Sequence, residues 1–290
     1  MIRNIFSFSD MQQNRKWALI AAYFFLTLFI IFFLFPPYYM IVTSFKTNQE
    51  ISSVKGIPWI FNQAPTLFHY KNLIKNTFFL TFFKNTVIVT FFSVTISMAI
   101  SILAAYSLSR MRFFGSAVLA TGVFLTYLVP ETLLFIPLFK VIGKLGLLNS
   151  KWALVLVYPT LAVPFCTWIM IGYFASIPKE LDEAAMIDGA SWYQMLFQIF
   201  IPVAMPGIIA ATIFAFTVSW ANFLYPLAFV YSNEEMVLTV GTVTTLIRGD
   251  VMHWGGLMAG ALLAAAPPVI IYAFLMDYYI SGLTAGAVKN

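Results

Sequence analysis

Long apolar runs broken by short polar stretches set the plan of this chain. Residues 17–42, 85–109, 113–139, 152–175, 202–225 and 254–276 form six such runs, and Glu131 is the only charged residue within them. Each can cross a hydrocarbon core of roughly 30 Å, which takes about 20 residues at helical rise. The pattern predicts an all-α polytopic membrane protein with six transmembrane helices. The first run is taken as a retained span, because it outruns a signal-peptide core and no small-residue cleavage site follows it. The alternating segments of roughly ten residues that mark a membrane β-barrel are absent.

The most informative departure is a polar island over residues 178–202. It holds Glu180, Asp182, Glu183 and Asp188, while residues 152–178 and 199–233 on either side carry no charge. Pro178 suits the first turn of a helix, and acids in that turn face the positive end of its dipole. Leu181, Ala184, Ala185 and Asp188 recur at helical spacing on one narrow face. Gly189 is placed to end this helix in a left-handed cap. Ser191 then caps a second helix that presents Trp192, Leu196 and Ile199 on one side and that Pro202 is expected to end. The two helices make a compact knob. A helix lying on anionic lipid would carry lysine and arginine on its polar face. Here that face is acidic, so a protein partner is expected.

Composition narrows the remaining possibilities. The chain is 61% hydrophobic and 9% charged, where a soluble domain carries about 25% charged residues. Net charge is +5, without the basic and aromatic interleaving of a nucleic-acid binder. Cys166 is single and sits in an apolar run, and His69 and His253 lack ligand spacing, so no disulfide, metal or other cofactor is expected. No GxxxxGK[ST] loop and no nucleophile–base or carboxylate pair occurs, which argues against an enzyme and places any energy source in another chain. Small residues repeat every fourth position at Ser93, Ser97, Ser101 and Ala105, and again at Gly256, Gly260 and Ala264, as close helix packing in lipid requires. Residues 44–84 read as a cap over the membrane face, with Gly56, Pro58 and Pro65 breaking any helix and Trp59, Phe61 and Tyr70 near the headgroups. Arg15, Lys16 and Arg110 fall on one side and Lys84, Lys140, Lys144 and Lys151 on the other, so charge alone leaves the orientation open.

Glu131, next to Pro130, is the acid well inside a predicted span, and such a residue is by default a functional candidate. It would be the coupling site of a proton-driven secondary transporter, the alternative reading of the chain. Polar side chains at membrane depth suggest that Glu131, Thr217, Trp220 and Asn222 line a translocation pathway.

The knob resembles the EAA loop of the membrane subunits of bacterial ABC importers. Its pattern here is Glu183-Ala184-Ala185, Gly189, Ile199, Ile201 and Pro202, with isoleucine where the family usually has leucine. IPLFKVIGKLGLLNS (136–150), PFCTWIMIGYFASIPKELDEAAMIDGAS (164–191) and GLTAGAVK (282–289) are similar to the carbohydrate-uptake branch, and to the smaller membrane subunit of maltose-type transporters. The similarity covers nearly the whole chain, most strongly from Thr81 onward. It implies a type I importer permease in the bacterial cytoplasmic (inner) membrane, with both termini cytoplasmic. Residues 1–80 would form the N-terminal tail, first helix and extracytoplasmic loop, 81–277 the permease domain, and 278–290 a cytoplasmic tail. Implied partners are a second homologous membrane subunit, two ATP-binding subunits and an extracytoplasmic sugar-binding protein, with a carbohydrate as cargo. Glu183, Ala184, Ala185, Asp188, Gly189, Ile199 and Pro202 would dock the ATPase, and the tail would add a second contact. In one place the chain departs from the branch. Trp-Asn-acid-Phe is usual there, and this chain reads Trp220-Ala221-Asn222-Phe223.

Overall fold

The computed structural model describes residues 8–53, 56–111, 113–248 and 251–285. In chain order the helices are α1 (Phe8–Ser44), α2 (Asn48–Ile51), α3 (Phe68–Asn76), α4 (Phe79–Arg110), α5 (Ser116–Tyr127), α6 (Glu131–Lys144), α7 (Lys151–Ser176) and α8 (Glu180–Ile187). Then come α9 (Trp192–Gln194), a π-helical segment (Met195–Phe200), α10 (Ile201–Val203), α11 (Met205–Ala221), α12 (Leu224–Phe229), α13 (Leu238–Leu246) and α14 (Trp254–Ala285). A two-residue antiparallel ladder, β1 (Ile247–Arg248) with β2 (Val251–Met252), pairs Ile247 with Met252. The tail segment 282–289 lies partly outside the described residues.

Four helices are apolar and long enough to cross a membrane unaided: Arg15–Ser44, Phe79–Arg110, Lys151–Ser176 and Trp254–Met276. Counted as one span each, two bent pairs bring the number among the described residues to six: Ser116–Tyr127 with Glu131–Lys144 at 96° and Trp192–Val203 with Met205–Ala221 at 80°. The span expected over 113–139 is thus two helices at a sharp angle. Pro130 has no amide hydrogen and steers Val129 out of helical geometry, so the helix stops at Tyr127 and restarts at Glu131. Pro137, by contrast, sits within α6. The span expected over 202–225 likewise divides, with α11 closing at Ala221 and α12 opening at Leu224.

By internal packing the chain forms two compact units, residues 1–72 with 253–262 and residues 73–252 with 263–290. In the first unit α1 runs through Pro36 and Pro37 to Ser44, and its apolar window is wholly exposed, as a lipid-facing helix requires. The segment after it is more ordered than a helix-free cap. Lys46 and Glu50, one turn apart on either side of the α2 start, form an ion pair at 3.1 Å with side chains 4% and 2% exposed. Lys46 Nζ also donates to the carbonyls of Ile57 (3.2 Å) and Pro58 (2.9 Å), and Glu50 Oε1 accepts from the Asn62 backbone (2.8 Å) and side-chain (3.1 Å) amides. A buried pair is tolerated when such bonds replace lost water. Trp59 and Phe61 are exposed as expected, but Tyr70 turns inward to hydrogen-bond Ser44 Oγ at 2.8 Å. His69 Nε2 donates to the Lys46 carbonyl at 2.9 Å, and its ring lies against Gly255, where a Cβ would fall 2.1 Å from the imidazole.

In the second unit α4 packs on α7 through the small-residue face read from the sequence: Ser93, Ser97, Ser101 and Ala105 are all fully buried. Ala162, Cys166, Met170 and Phe174 repeat every fourth position on α7 and are fully buried too. Cys166 Sγ donates to the Ala211 carbonyl of α11 at 3.4 Å, the behaviour of a small buried hydrophobe. At one end of these helices a polar clasp pins the 230–238 segment. Asn85 Nδ2 donates to the carbonyls of Glu234 (2.8 Å) and Met236 (2.9 Å), Lys151 Nζ pairs with Glu235 at 3.0 Å, and Asn149, in left-handed geometry, accepts from the amides of Tyr231 (3.0 Å) and Ser232 (2.8 Å). At the other end Tyr106, Phe174 and Phe200 meet edge to face, with centroids 5.2 to 6.3 Å apart.

Two expectations follow. A Cβ on Gly207 would sit 2.3 Å from the Tyr173 ring, so Gly207→Leu should destabilise by about 1–3 kcal/mol or more through overpacking between α7 and α11. A thermal midpoint in detergent that does not drop would contradict this contact. Burial first, and then the nearby His253 charge, hold the His69 imidazole below its ordinary value despite the Lys46 carbonyl. A depressed folded value means stability is present above the ordinary histidine pKa of about 6.5 and is lost as pH falls through it toward the folded value. Amide protection factors in residues 44–53 and 56–72, corrected for the intrinsic exchange rate, should therefore fall as pH drops below about 6.5, and His69→Gln should flatten that dependence.

Candidate functional site

The knob is built from two local caps. Glu180, Asp182 and Glu183 occupy the first turn of α8. At its other end Gly189 has φ +78°, Gly189 N donates to the Met186 carbonyl (3.1 Å) and Ala190 N to the Ala185 carbonyl (2.9 Å). This is the paired closure that a left-handed glycine makes possible. Ser191 and Gln194 then form a reciprocal capping box, with Ser191 N donating to Gln194 Oε1 at 2.8 Å and Gln194 N to Ser191 Oγ at 3.4 Å.

Pro202 does not end the second helix, contrary to expectation. The helix widens to a π turn over Met195–Phe200, where Ile201 N reaches back to the Leu196 carbonyl, and it continues to Val203. A proline ring clashes with the carbonyl four residues earlier, and a wider turn moves that carbonyl away. The bend falls instead at the buried Ala204.

The knob is two-sided. Ala185, Met195, Leu196 and Phe200 are buried in the same core as Tyr106 and Phe174, with Ile199 half-buried beside them. Glu180, Glu183, Ala184, Asp188, Gly189 and Pro202 are exposed. The predicted face of Leu181, Ala184, Ala185 and Asp188 therefore splits, with Ala185 turned in as an anchor and the other three turned out. Trp192 is likewise exposed while Leu196 is buried, so the two do not share a side. Ile187, at 87% exposure, stands at the tip with Met186 and Trp192 nearby. Apolar side chains rimmed by acids form a surface suited to a soluble partner. Arg110, which sequence reasoning treated only as a charge closing a span, ties the knob down by pairing with Asp182 at 2.9 Å. The partners are far apart in sequence, so no motif spacing announces the pair.

A second cluster forms where two helices break. Asn222 Nδ2 donates to Glu131 Oε2 at 3.1 Å, Asn222 Oδ1 accepts from Tyr225 N at 3.1 Å, and the Asn222 carbonyl accepts from Thr239 Oγ1 at 2.8 Å. Glu131 is therefore a hydrogen-bonded residue at the start of α6, just past the break, and not an isolated acid in mid-helix. It borders an open cleft of about 300 Å³, with Tyr127, Thr160 and Phe214 among its walls. Tyr127 and Phe214 pack with Phe165 in tilted and edge-to-face contacts, the two phenylalanine centroids 4.3 Å apart. Thr217 is half-buried and bonds the Ile213 carbonyl (2.7 Å) and the Tyr272 hydroxyl, while Trp220 is buried and its Nε1 donates to the Ala264 carbonyl at 3.0 Å. Glu131 and Asn222 thus come together, whereas Thr217 and Trp220 brace α11 against α14. Among the described residues no cluster of histidine, cysteine and acids could hold a metal.

Residues 97–284 match the family of binding-protein-dependent transport system inner membrane components. The inner membrane ABC transporter permease protein YcjP of Escherichia coli is 36% identical over 280 residues, covering 96% of this chain and 99% of the relative. The trehalose/maltose transport system permease protein MalG of Thermococcus litoralis is 34% identical over 260 residues, covering 89% and 92%. Among solved structures, a chain of a bacterial ABC transporter involved in import of the acidic polysaccharide alginate superimposes with a TM-score of 0.80 at 22% identity, over 96% of this chain and 100% of that one. The fold is that of an ABC importer permease, and the chain belongs to the family of binding-protein-dependent transport system inner membrane components.

Proposed function

We propose that this chain is one of two membrane subunits of an ATP-driven, binding-protein-dependent sugar importer, forming half of the translocation pathway and receiving the work of ATP hydrolysis at its knob. One observation carries the reading: an acidic, small-residue knob, closed by a left-handed glycine and capping box, is packed by its inner face into the core of the spans. A surface so built is exposed to a soluble partner yet rigidly joined to the membrane helices. Two ATP-binding subunits are the partners of such a surface, and Glu183, Ala184, Asp188, Gly189 and Pro202 supply contacts, with Ala185 and Ile199 holding them from behind. With the ATPase docked there, the knob faces the cytoplasm. The clasp of Asn85, Asn149, Lys151 and Glu235 then lies on the opposite side, toward the extracytoplasmic binding protein. Names of relatives, which include trehalose/maltose and sulfoquinovosyl glycerol systems, support a carbohydrate or glycoside as cargo.

The pathway runs at the interface with the second membrane subunit, since one chain of six spans is too small to enclose a hydrated sugar. Glu131 and Asn222, at adjoining helix breaks beside an aromatic-walled cleft, line this half of it. Backbone irregularity at membrane depth is admitted where it is buried in protein or faces a water-filled cavity.

Docking is tested at the cap. Gly189→Val forces a β-branched residue into φ +78°, a conformation that disfavours side chains. The second helix of the knob should tilt. Sugar uptake and copurification of the ATPase should both fall by about tenfold or more while the membrane subunits still insert. Full recovery of ATPase with normal uptake would refute the docking surface. Energy coupling is tested separately with the reconstituted complex. With ATP supplied on the ATPase side, uptake should continue in the presence of an uncoupler, in wild type and in Glu131→Gln alike. Loss of uptake under uncoupler at constant ATP would point to proton coupling.

A further inference from the structure

We propose that Arg110 is the positioning residue that passes a displacement of the knob into the transmembrane helices, making α4, α7 and α8 move as one body. The proposal rests on the docking reading above and goes beyond it, because Arg110 lies outside the docking surface. Its guanidinium holds four elements at once. Arg110 is itself the last residue of α4. Its Nη1 donates to Asp182 Oδ2 in the first turn of α8 at 2.9 Å. Its Nη2 donates to the carbonyl of Phe174, on α7, and to that of Ile177, just past the end of α7, at 2.5 Å. Its Cζ lies 4.7 Å over the Phe200 ring, in the π segment of the knob's second helix. The side chains of Arg110 and Asp182 are 7% and 17% exposed.

The chemistry favours a mechanical tie over an incidental surface pair. The Phe174 and Ile177 carbonyls lie at the C-terminal end of α7, where the dipole is negative and favours a cation, and Arg110 bonds the Phe174 carbonyl beside the Ile177 amide that already reaches it. A planar guanidinium can meet two carbonyls and a carboxylate together, which a lysine ammonium on a flexible stem cannot do in the same geometry. Charge-assisted bonds of this kind are among the strongest available between side chains, and partial burial shields them from screening.

Asp182 is set apart from the other acids of the knob. Glu180, Glu183 and Asp188 are exposed to a partner, whereas Asp182 is turned toward Arg110. Among the described residues, no other ion pair reaches the knob. A pull applied at Glu183 is one residue from Asp182, and through Arg110 it bears on the ends of α4 and α7. The edge-to-face contacts of Tyr106, Phe174 and Phe200 fill the space around this tie. They cushion the joint, and the guanidinium sets its angle.

The test uses the whole complex of both membrane subunits, ATPase and binding protein, in a Cys166→Ser background. Spin labels are placed at Leu181→Cys on α8, outside the proposed docking residues, and at Leu103→Cys on α4, both exposed positions. In the otherwise wild-type complex the distance between labels should be narrow and equal in the nucleotide-free and vanadate-trapped states, because the elements move together. In Arg110→Gln the distribution should widen roughly twofold and shift on trapping. ATPase should still copurify and hydrolyse ATP within about threefold of wild type, since the docking surface is untouched. Arg110→Lys should recover the Asp182 pair but only part of the narrow distribution.

A distribution in Arg110→Gln as narrow and nucleotide-invariant as wild type overturns the proposal. So does a parallel loss of copurification and distance order, which would make Arg110 a folding residue only. If Arg110→Gln does not assemble, Asp182→Asn frees the knob while leaving the α4–α7 bonds intact, and the same two outcomes decide. Failure of the docking reading is read elsewhere, as ATPase that copurifies undiminished with Gly189→Val.

Discussion

In hydrocarbon no water stands ready to bond a freed amide or carbonyl, and the whole architecture of this chain follows from that constraint. An unbroken helix without proline satisfies it internally, as Phe79–Arg110 does. Where a helix breaks, a protein group must take water's place. Past Tyr127 the chain tightens, with Leu128 N on the Leu125 carbonyl and Val129 N on the Thr126 carbonyl, before Pro130 turns it. Past Ala221 the side chains of Asn222 and Thr239 satisfy the freed backbone, and Asn222 also caps α12. The polar residues at membrane depth therefore cluster at breaks because breaks need them. A cluster built for backbone repair is also a hydrogen-bonding patch beside an aromatic-walled cleft, the chemistry that the proposed pathway would offer a sugar. On that proposal, structural need and transport draw on the same side chains.

The second demand is cohesion without a hydrophobic force between helices, since lipid tails are as apolar as leucine. Close approach through serines and alanines on α4, against alanine and cysteine on α7 and α11, meets this demand by dispersion over many short contacts. At the knob end the solution changes. Three aromatic rings packed edge to face and one multiply bonded guanidinium give the joint directionality. The gradation suits an importer permease, whose helices must shift against a partner subunit while the coupling element stays faithful to the helices it drives.

Much of this was legible in the order of residues. Apolar run length determined how many spans there are and where the straight ones lie, because the hydrocarbon core sets one minimum length for every helix. The small-residue repeat of Ser93, Ser97, Ser101 and Ala105 marked the buried face of α4, and Gly189 and Ser191 marked the closure of one short helix and the start of the next. These are local rules, decided within a few residues by backbone sterics and capping bonds, so the sequence by itself suffices for them.

What only the tertiary structure decided lies at long range or depends on competing local terms. Pro130 ended a helix, Pro137 did not, and Pro202 was absorbed by a π turn. Whether a proline breaks a helix depends on how the neighbouring carbonyl is satisfied, and packing settles that. Ala185 turned inward while Ala184 faced outward, a distinction that the shared motif does not carry. Tyr70 turned to Ser44, a partner 26 residues away. Arg110 found Asp182, and Asn222 found Glu131, across 72 and 91 residues of chain. No periodicity encodes such pairs. They exist because folding brings together distant charged and polar groups whose burial alone would be unfavourable, and only the packed arrangement determines which partner each one meets.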